Sequence, residues 1–208
     1  MLTISRQTLQ RLPLYLNYLK ALPPGTENIS ATALAQALGL GDVQVRKDLA
    51  AVSDRGRPKV GYDAGGLIRD IEQFLGYDNA DSAVIVGAGN MGRALLSYEG
   101  FSTYGLDVVA AFDADYTKQG AAENGKHIFP VSRLGELCRR MKVKIGIITV
   151  PAAAAQQVCD TLIEAGVLAI WNFAPTHLVV PEGVLVQNEN MAVSLAVLSQ
   201  HLSERLKP

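Results

Sequence analysis

The run Gly87-Ala88-Gly89-Asn90-Met91-Gly92 has glycines at the spacing G-x-G-x-x-G. In such a run the first glycine permits a sharp turn, the second admits a pyrophosphate close to the backbone, and the third lets a helix pack tightly on a strand. Asp113 follows about twenty residues beyond Gly92, a distance that suits a carboxylate at the tip of the next strand. There it would accept hydrogen bonds from ribose hydroxyls and repel a 2′-phosphate, so the pattern predicts NAD(H) in preference to NADP(H). A plain strand-end turn residue is the alternative for Asp113.

A second set lies upstream. Gln44, Arg46 and Lys47 fall together in a short segment, and Arg55, Arg57 and Lys59 follow in a glycine-containing loop. Glutamine can pair with an adenine edge and arginine with guanine, while lysine most readily meets phosphate. A solvated charged face is the alternative. No third set emerges. His127, His177 and His201 are scattered, none with an acidic neighbour in sequence to orient it as a general base. Cys138 and Cys159 form no metal-ligand pattern and read as buried or idle reduced thiols. No catalytic set and no metal site are expected.

The elements that must hold these residues follow two grammars. Leu9, Leu12, Leu16 and Leu19 are spaced as one face of a helix that ends before Pro23-Pro24-Gly25. Ser30 stands as N-cap of a short alanine-rich helix stopped by Gly39-Leu40-Gly41, and Asp42 is expected to cap the next helix. A short helix, a glycine turn and a second helix form a helix-turn-helix, whose second helix faces the major groove. Val45, Leu49 and Val52 point inward, leaving Gln44, Arg46, Lys47 and Asp48 for the remaining surface. The loop Asp54 to Tyr62 reads as a wing, and a helix from Gly66 to Leu75, with Leu67, Ile71, Phe74 and Leu75 apolar, closes the domain at Gly76. Tyr77 to Asp81 marks the boundary.

Beyond it, apolar runs alternate with helical segments, the pattern of a parallel sheet wrapped by helices. Ser82–Val86 leads into the glycine run, Leu106–Phe112 leads into Asp113, and later strands are expected at Val143–Val150 and Val167–Trp171, with Pro151 starting the helix between them. Ligands bind outside such strand ends, so Thr149, Val150 and Pro151, and the turn Asn172-Phe173-Ala174-Pro175, fall where a nicotinamide would lie. A last helix carries Met191, Leu195, Leu198, Leu202 and Leu206 on one stripe, which packs either in an ordinary core or across a second subunit.

The expected fold class is α/β: an N-terminal winged helix-turn-helix domain (1–78), a Rossmann-like doubly wound parallel sheet (79–188) and a C-terminal helix (189–208). The 208 residues are 49% hydrophobic and 19% charged, an ordinary globular balance with no apolar run long enough to span a bilayer. The opening Met1-Leu2-Thr3-Ile4-Ser5-Arg6-Gln7 lacks the features of a secretory signal, so a cytoplasmic location is expected. The net charge of −1 argues against a uniformly basic nucleic-acid binder, but residues 43–60 hold five basic side chains against two acidic ones, a local charge of +3.

Several segments resemble the Rex family of bacterial redox-sensing transcriptional repressors: Gln44-Val45-Arg46-Lys47-Asp48-Leu49, Val60-Gly61-Tyr62, Gly87 to Gly92, Tyr98-Glu99-Gly100-Phe101, Phe112-Asp113-Ala114-Asp115, Thr149-Val150-Pro151-Ala152 and Trp171-Asn172-Phe173-Ala174-Pro175. The resemblance runs along essentially the whole chain. It implies a non-enzymatic homodimer with exchanged C-terminal helices, in which NADH closes the dimer and releases operator DNA whereas NAD+ permits binding. By matching position, Gln44, Arg46, Lys47, Arg57 and Lys59 would touch DNA. Gly87, Ala88, Gly89, Asn90, Met91, Gly92, Asp113, Thr149, Val150, Pro151, Asn172, Phe173 and Ala174 would surround the dinucleotide, and Tyr98 would lie near the nicotinamide and the partner subunit.

Two departures from the family pattern stand out. Asn17 and Asn190 occupy positions where relatives commonly carry an Arg and an Asp that pair as part of the switch, and Pro58-Lys59 replaces an Arg-Gly pair in the wing. The rival readings are an NAD-dependent dehydrogenase, for which a catalytic set is missing, and a repressor sensing another nucleotide such as coenzyme A.

Overall fold

The computed structural model describes residues 4–78, 81–122 and 125–206, so Met1-Leu2-Thr3 of the N-terminal reading and Asn79-Ala80 of the boundary lie outside the described residues. The chain divides into two compact units, Met1–Asn79 and Ala80–Pro208.

In the first unit α1 (Arg6–Lys20) is followed by β1 (Asn28–Ile29), α2 (Ala31–Leu38), α3 (Asp42–Val52), β2 (Tyr62–Asp63) and α4 (Ala64–Leu75). Leu12, Tyr15, Leu16 and Leu19 of α1 bury against Leu34, Val45, Leu49, Leu67 and Ile71. Leu9 and Phe74 were expected on the inward faces but are exposed; each lies in an outer turn of its helix at the edge of the packed stripe. Ser30 caps α2 by accepting from the Ala33 amide, and Gly39 ends it in the left-handed conformation. Asp42 does not cap α3. Gly41 is the N-cap, and the Asp42 carboxylate instead accepts from Thr32 Oγ1 and Arg46. The wing closes through paired backbone bonds between Arg57 and Gly61, with Lys59 at φ 64 at its tip. That left-handed conformation favours glycine, so a lysine there costs backbone strain. Antiparallel pairing of β1 with β2 ties the wing's base to the helices, and Asp63 caps α4.

The second unit holds β3 (Asp81–Val86), α5 (Asn90–Leu96), β4 (Leu106–Asp113), β5 (Gly120–Ala121), β6 (His127–Pro130), α6 (Leu134–Met141), β7 (Ile145–Ile148), α7 (Ala152–Glu164), β8 (Ala169–Asn172), β9 (Leu185–Asn188) and α8 (Met191–Arg205). The sheet order is β5-β6-β4-β3-β7-β8-β9, parallel throughout except for the β5–β6 pair. Successive strands step outward from β3 in opposite directions, so the topological switch lies beside β3. The fold class is the expected one: a winged helix and a Rossmann-like doubly wound sheet. Pro151 is the N-cap of α7 rather than its first residue.

Two apolar layers sandwich the sheet, one under α6 and α7 and the other under α5 and the turn containing Phe101. Cys138 and Cys159 are free and buried in the first, where burial pushes each thiol up to about 11. Among the described residues no helix is long and apolar enough to cross a membrane, and no group of His, Cys, Asp or Glu could hold a metal ion.

Candidate functional site

In the second unit a cavity of about 930 Å³ opens at the carboxyl ends of the central strands, within the size range of cofactor pockets. Gly87, Gly89, Asp113, Thr149, Val150, Pro151 and Phe173, all singled out from the sequence, line it. The first and third glycines do what their spacing predicts. Gly87 sits at φ 106, and a Cβ there would meet the Thr149 carbonyl at 2.8 Å. A Cβ on Gly92 would overlap the Gly87 carbonyl oxygen. At Gly89, by contrast, a Cβ would meet nothing within 4 Å, so the protein itself does not require a glycine there. Gly89 also lines the cavity.

Side chains fix this loop from two strands. Thr149 Oγ1 donates to Gly87 O at 2.7 Å and Val86 O at 3.1 Å. Asp113, 8% exposed, accepts from the Ala88 amide at 2.6 Å through Oδ2 and from the Asp115 amide at 2.8 Å through Oδ1. Oδ1 keeps a further lone pair for a ligand hydroxyl, whereas Oδ2 is also met by the Lys118 ammonium. Lys118, absent from the sequence-based set, lies 3.4 Å from Asp113 Oδ2 on the cavity wall. Val131, Ser132, Leu134, Ala154, Gln157 and Thr161 also line the wall and carry no motif that would reveal them.

Other expected residues sit elsewhere. Asn172 is fully buried beneath the cavity: its Nδ2 donates to Thr176 O and Asn188 Oδ1, and its Oδ1 accepts from the Ala174 amide. It holds the turn that presents Phe173. Ala88, Gly92 and Ala174 are buried supports, while Asn90 and Met91 open α5. Tyr98 is half-exposed and lines a separate pocket of about 360 Å³. Its ring packs edge-on against Phe101 at 4.9 Å; Phe101 in turn meets Trp171 at 5.9 Å, and Trp171 meets Phe173 at 5.0 Å.

In the first unit Gln44, Arg46, Lys47, Arg57 and Lys59 are all exposed, the first three on α3 and the last two on the wing. Arg46 pairs with Asp42 at 2.7 Å, whereas Arg55 is held by Asp70 and anchors the wing's base to α4. Asp48 was expected on the surface of α3 and is buried, 5% exposed. Burial alone would raise its pKa, but hydrogen bonds from Arg11, Tyr15 and Thr8 hold the carboxylate below its ordinary range. Arg11 donates to it from Nε at 2.7 Å and Nη2 at 3.0 Å, Tyr15 Oη at 2.8 Å and Thr8 Oγ1 at 3.0 Å. Burial, and then the neighbouring carboxylate, push the Tyr15 phenol up to about 12. The partners lie more than thirty residues upstream of Asp48, so local spacing gave no signal of the network.

A helix that exposes Gln44, Arg46 and Lys47 beside a basic wing, joined in one chain to a cleft at the carboxyl ends of a doubly wound sheet, is the arrangement of a ligand-responsive DNA-binding regulator. Family models describe the same two parts: "Putative DNA-binding protein N-terminus" matches residues 3–50 and "CoA binding domain" matches residues 78–176. The chain is 42% identical to the redox-sensing transcriptional repressor Rex of Porphyromonas gingivalis, over 94% of this chain and 90% of that one. It is 43% identical to Rex of Carboxydothermus hydrogenoformans, over 94% and 95%. This protein belongs to the Rex family of redox-sensing transcriptional repressors. Among solved structures, the Rex-family repressor RSP in complex with β-NAD+ and operator DNA superimposes with a TM-score of 0.92 at 32% identity, covering 99% of this chain and 95% of that one. RSP in complex with β-NADH gives a TM-score of 0.87 at 31% identity, covering 99% and 97%.

Proposed function

We propose that this chain represses transcription by binding operator double-stranded DNA through α3 and the wing, and that NADH entering the cleft releases it, so that the protein reports the NADH/NAD+ ratio. The observation that carries the reading is the open space over Gly89, the one glycine of the three that no contact within the protein requires, where close backbone approach by a pyrophosphate accounts for the missing side chain. RSP, similar along nearly the whole chain, has been crystallised with NAD+ on operator DNA and with NADH. No chemistry is needed for such a switch. A ligand that binds the DNA-incompetent form more tightly must weaken DNA affinity by the same factor.

In this reading the backbone from Gly87 to Gly92 cradles the pyrophosphate, Asp113 accepts from the adenosine ribose, and Thr149, Val150, Pro151 and Phe173 enclose the nicotinamide half. Asn172 and Ala174 act by shaping the turn under it. Gln44, Arg46, Lys47, Arg57 and Lys59 make the DNA contacts. The seven large apolar residues at 191, 193, 195, 197, 198, 202 and 206 are each more than half exposed, a stripe that a second copy of the chain would cover. Residues 189–208 are thus a dimerisation segment, and Tyr98 faces the partner. The protein is cytoplasmic. Membership in a repressor family sets the dehydrogenase reading aside. The coenzyme A reading has the matching family model in its favour, but a free ribose suits Asp113 better than the 3′-phosphorylated one of coenzyme A.

The absent Arg–Asp pair implies that the two states here are separated by hydrogen bonding or packing. Asn190 already caps α8 by accepting from the Ala192 amide, and an aspartate caps equally well. Asn17→Arg with Asn190→Asp should therefore keep α8 intact and sharpen the response to NADH; an unchanged response removes this account. The main test is operator affinity at fixed salt with NADH, NAD+ or NADPH added in turn. Release by NADH alone is expected. DNA binding indifferent to every dinucleotide would overturn the redox reading, and release by coenzyme A would favour the other nucleotide.

A further inference from the structure

Gln44 lies in the first turn of α3, four residues before Asp48 on the same side of the helix, and one guanidinium spans both. While Arg11 grips Asp48 through Nε and Nη2, the Gln44 amide oxygen accepts from its Nη1 at 2.9 Å and Nη2 at 3.3 Å, the orientation that the hydrogen-bond network assigns. An amide oxygen has two lone pairs and both are directed at Arg11 donors. Gln44 therefore has only its NH2 group left to present outward. Adenine recognition by glutamine needs the amide to donate to N7 and accept from N6 at once, whereas the guanine edge offers only acceptors, O6 and N7.

We infer that Arg11 is a positioning residue that turns Gln44 into a donor-only probe of the major groove, selecting guanine over adenine at the base it meets. The inference rests on the DNA-binding reading above and deepens it. Its strength is that Arg11 cannot easily let go. Asp48 is buried and held from three directions, so the guanidinium is fixed before DNA arrives, and with it the amide. Lysine at position 11 would keep the charge beside Asp48 but lacks the planar fork needed to serve both partners.

The test is selection of binding sites by the full-length protein from duplexes randomised across a half-site, at fixed salt. Loss of preference in Gln44→Ala identifies the base pair concerned, and the wild type should prefer guanine there. Arg11→Lys should move that preference to adenine without changing the salt dependence, which follows phosphate contacts. Gln44→Glu leaves the Arg11–Asp48 pair in place and swaps donors for acceptors. It should pass the preference to cytosine, with affinity for the guanine site falling about three- to tenfold.

A wild type preferring adenine at that base pair would overturn the inference, as would a folded Arg11→Lys protein that still prefers guanine. Should Arg11→Lys fail to fold, Gln44→Glu decides: retained guanine preference refutes the inference. If Gln44→Ala alters no position, Gln44 reads no base and the inference fails while DNA binding stands. If the wild type selects no DNA, the DNA-binding reading itself fails.

Discussion

The two units prepare their working surfaces by opposite means. Beneath the exposed face of α3 lies a buried polar network, with Thr8, Arg11 and Tyr15 converging on Asp48. The cleft of the second unit is shaped instead by side chains that are missing, at Gly87, Gly89 and Gly92, over an apolar sheet. A DNA-reading helix has to offer side chains at set angles, which needs a scaffold of directed bonds. A pyrophosphate is held by backbone, which needs the removal of obstacles. Different failures follow when each is disturbed.

The largest effect should come from Gly92→Ala, whose Cβ overlaps backbone that cannot swing aside. A loss of about 4 kcal/mol in the second unit is expected, read by calorimetry, with dinucleotide binding abolished. Asp48→Ala comes next: it strands Arg11 beside a buried space and should destabilise the first unit by about 3 kcal/mol, read by loss of helical circular dichroism.

The same carboxylate sets a pH dependence. Because its folded pKa is depressed, its contribution is present above the ordinary carboxylate range and is lost as pH falls through the lower folded value. Melting of the first unit should drop in acid, and Asp48→Asn should flatten that slope. At the alkaline end Tyr15, raised to about 12, contributes fully below the usual phenol range and loses that contribution as pH rises through the folded value. A smaller effect, about 1 kcal/mol, is expected for Ser30→Ala through loss of the α2 cap. The least effect on stability, within about 0.5 kcal/mol, belongs to Gly89→Ala, and that variant should nonetheless lose dinucleotide affinity. If it keeps its affinity, the contrast between the two surfaces collapses, because that glycine would then serve neither fold nor ligand.

The glycine run and the wing were legible because each is a local pattern: close backbone approach and tight reversal both write themselves into neighbouring residues. Asp113 was legible because its distance from the run is set by one helix and one strand. What stayed hidden depends on distant partners. Asp48 stands in a run of charged residues and looks solvated; only Thr8, Arg11 and Tyr15, folded back onto it, make it interior. Asn172 looked like a ligand contact because it ends a strand at the switch face, but its amide is consumed by the turn that follows. The short strands β6 and β9, four residues each, gave too brief an apolar run to read.

The single tryptophan of the chain is Trp171, packed against the cleft-lining Phe173 and donating its indole N–H to Glu189. Indole emission overlaps the absorption band of reduced nicotinamide and not that of the oxidised form. The protein thereby carries a built-in optical donor at the edge of its own cleft, one that should be quenched by NADH and left bright by NAD+, so occupancy by each form can be followed without a label.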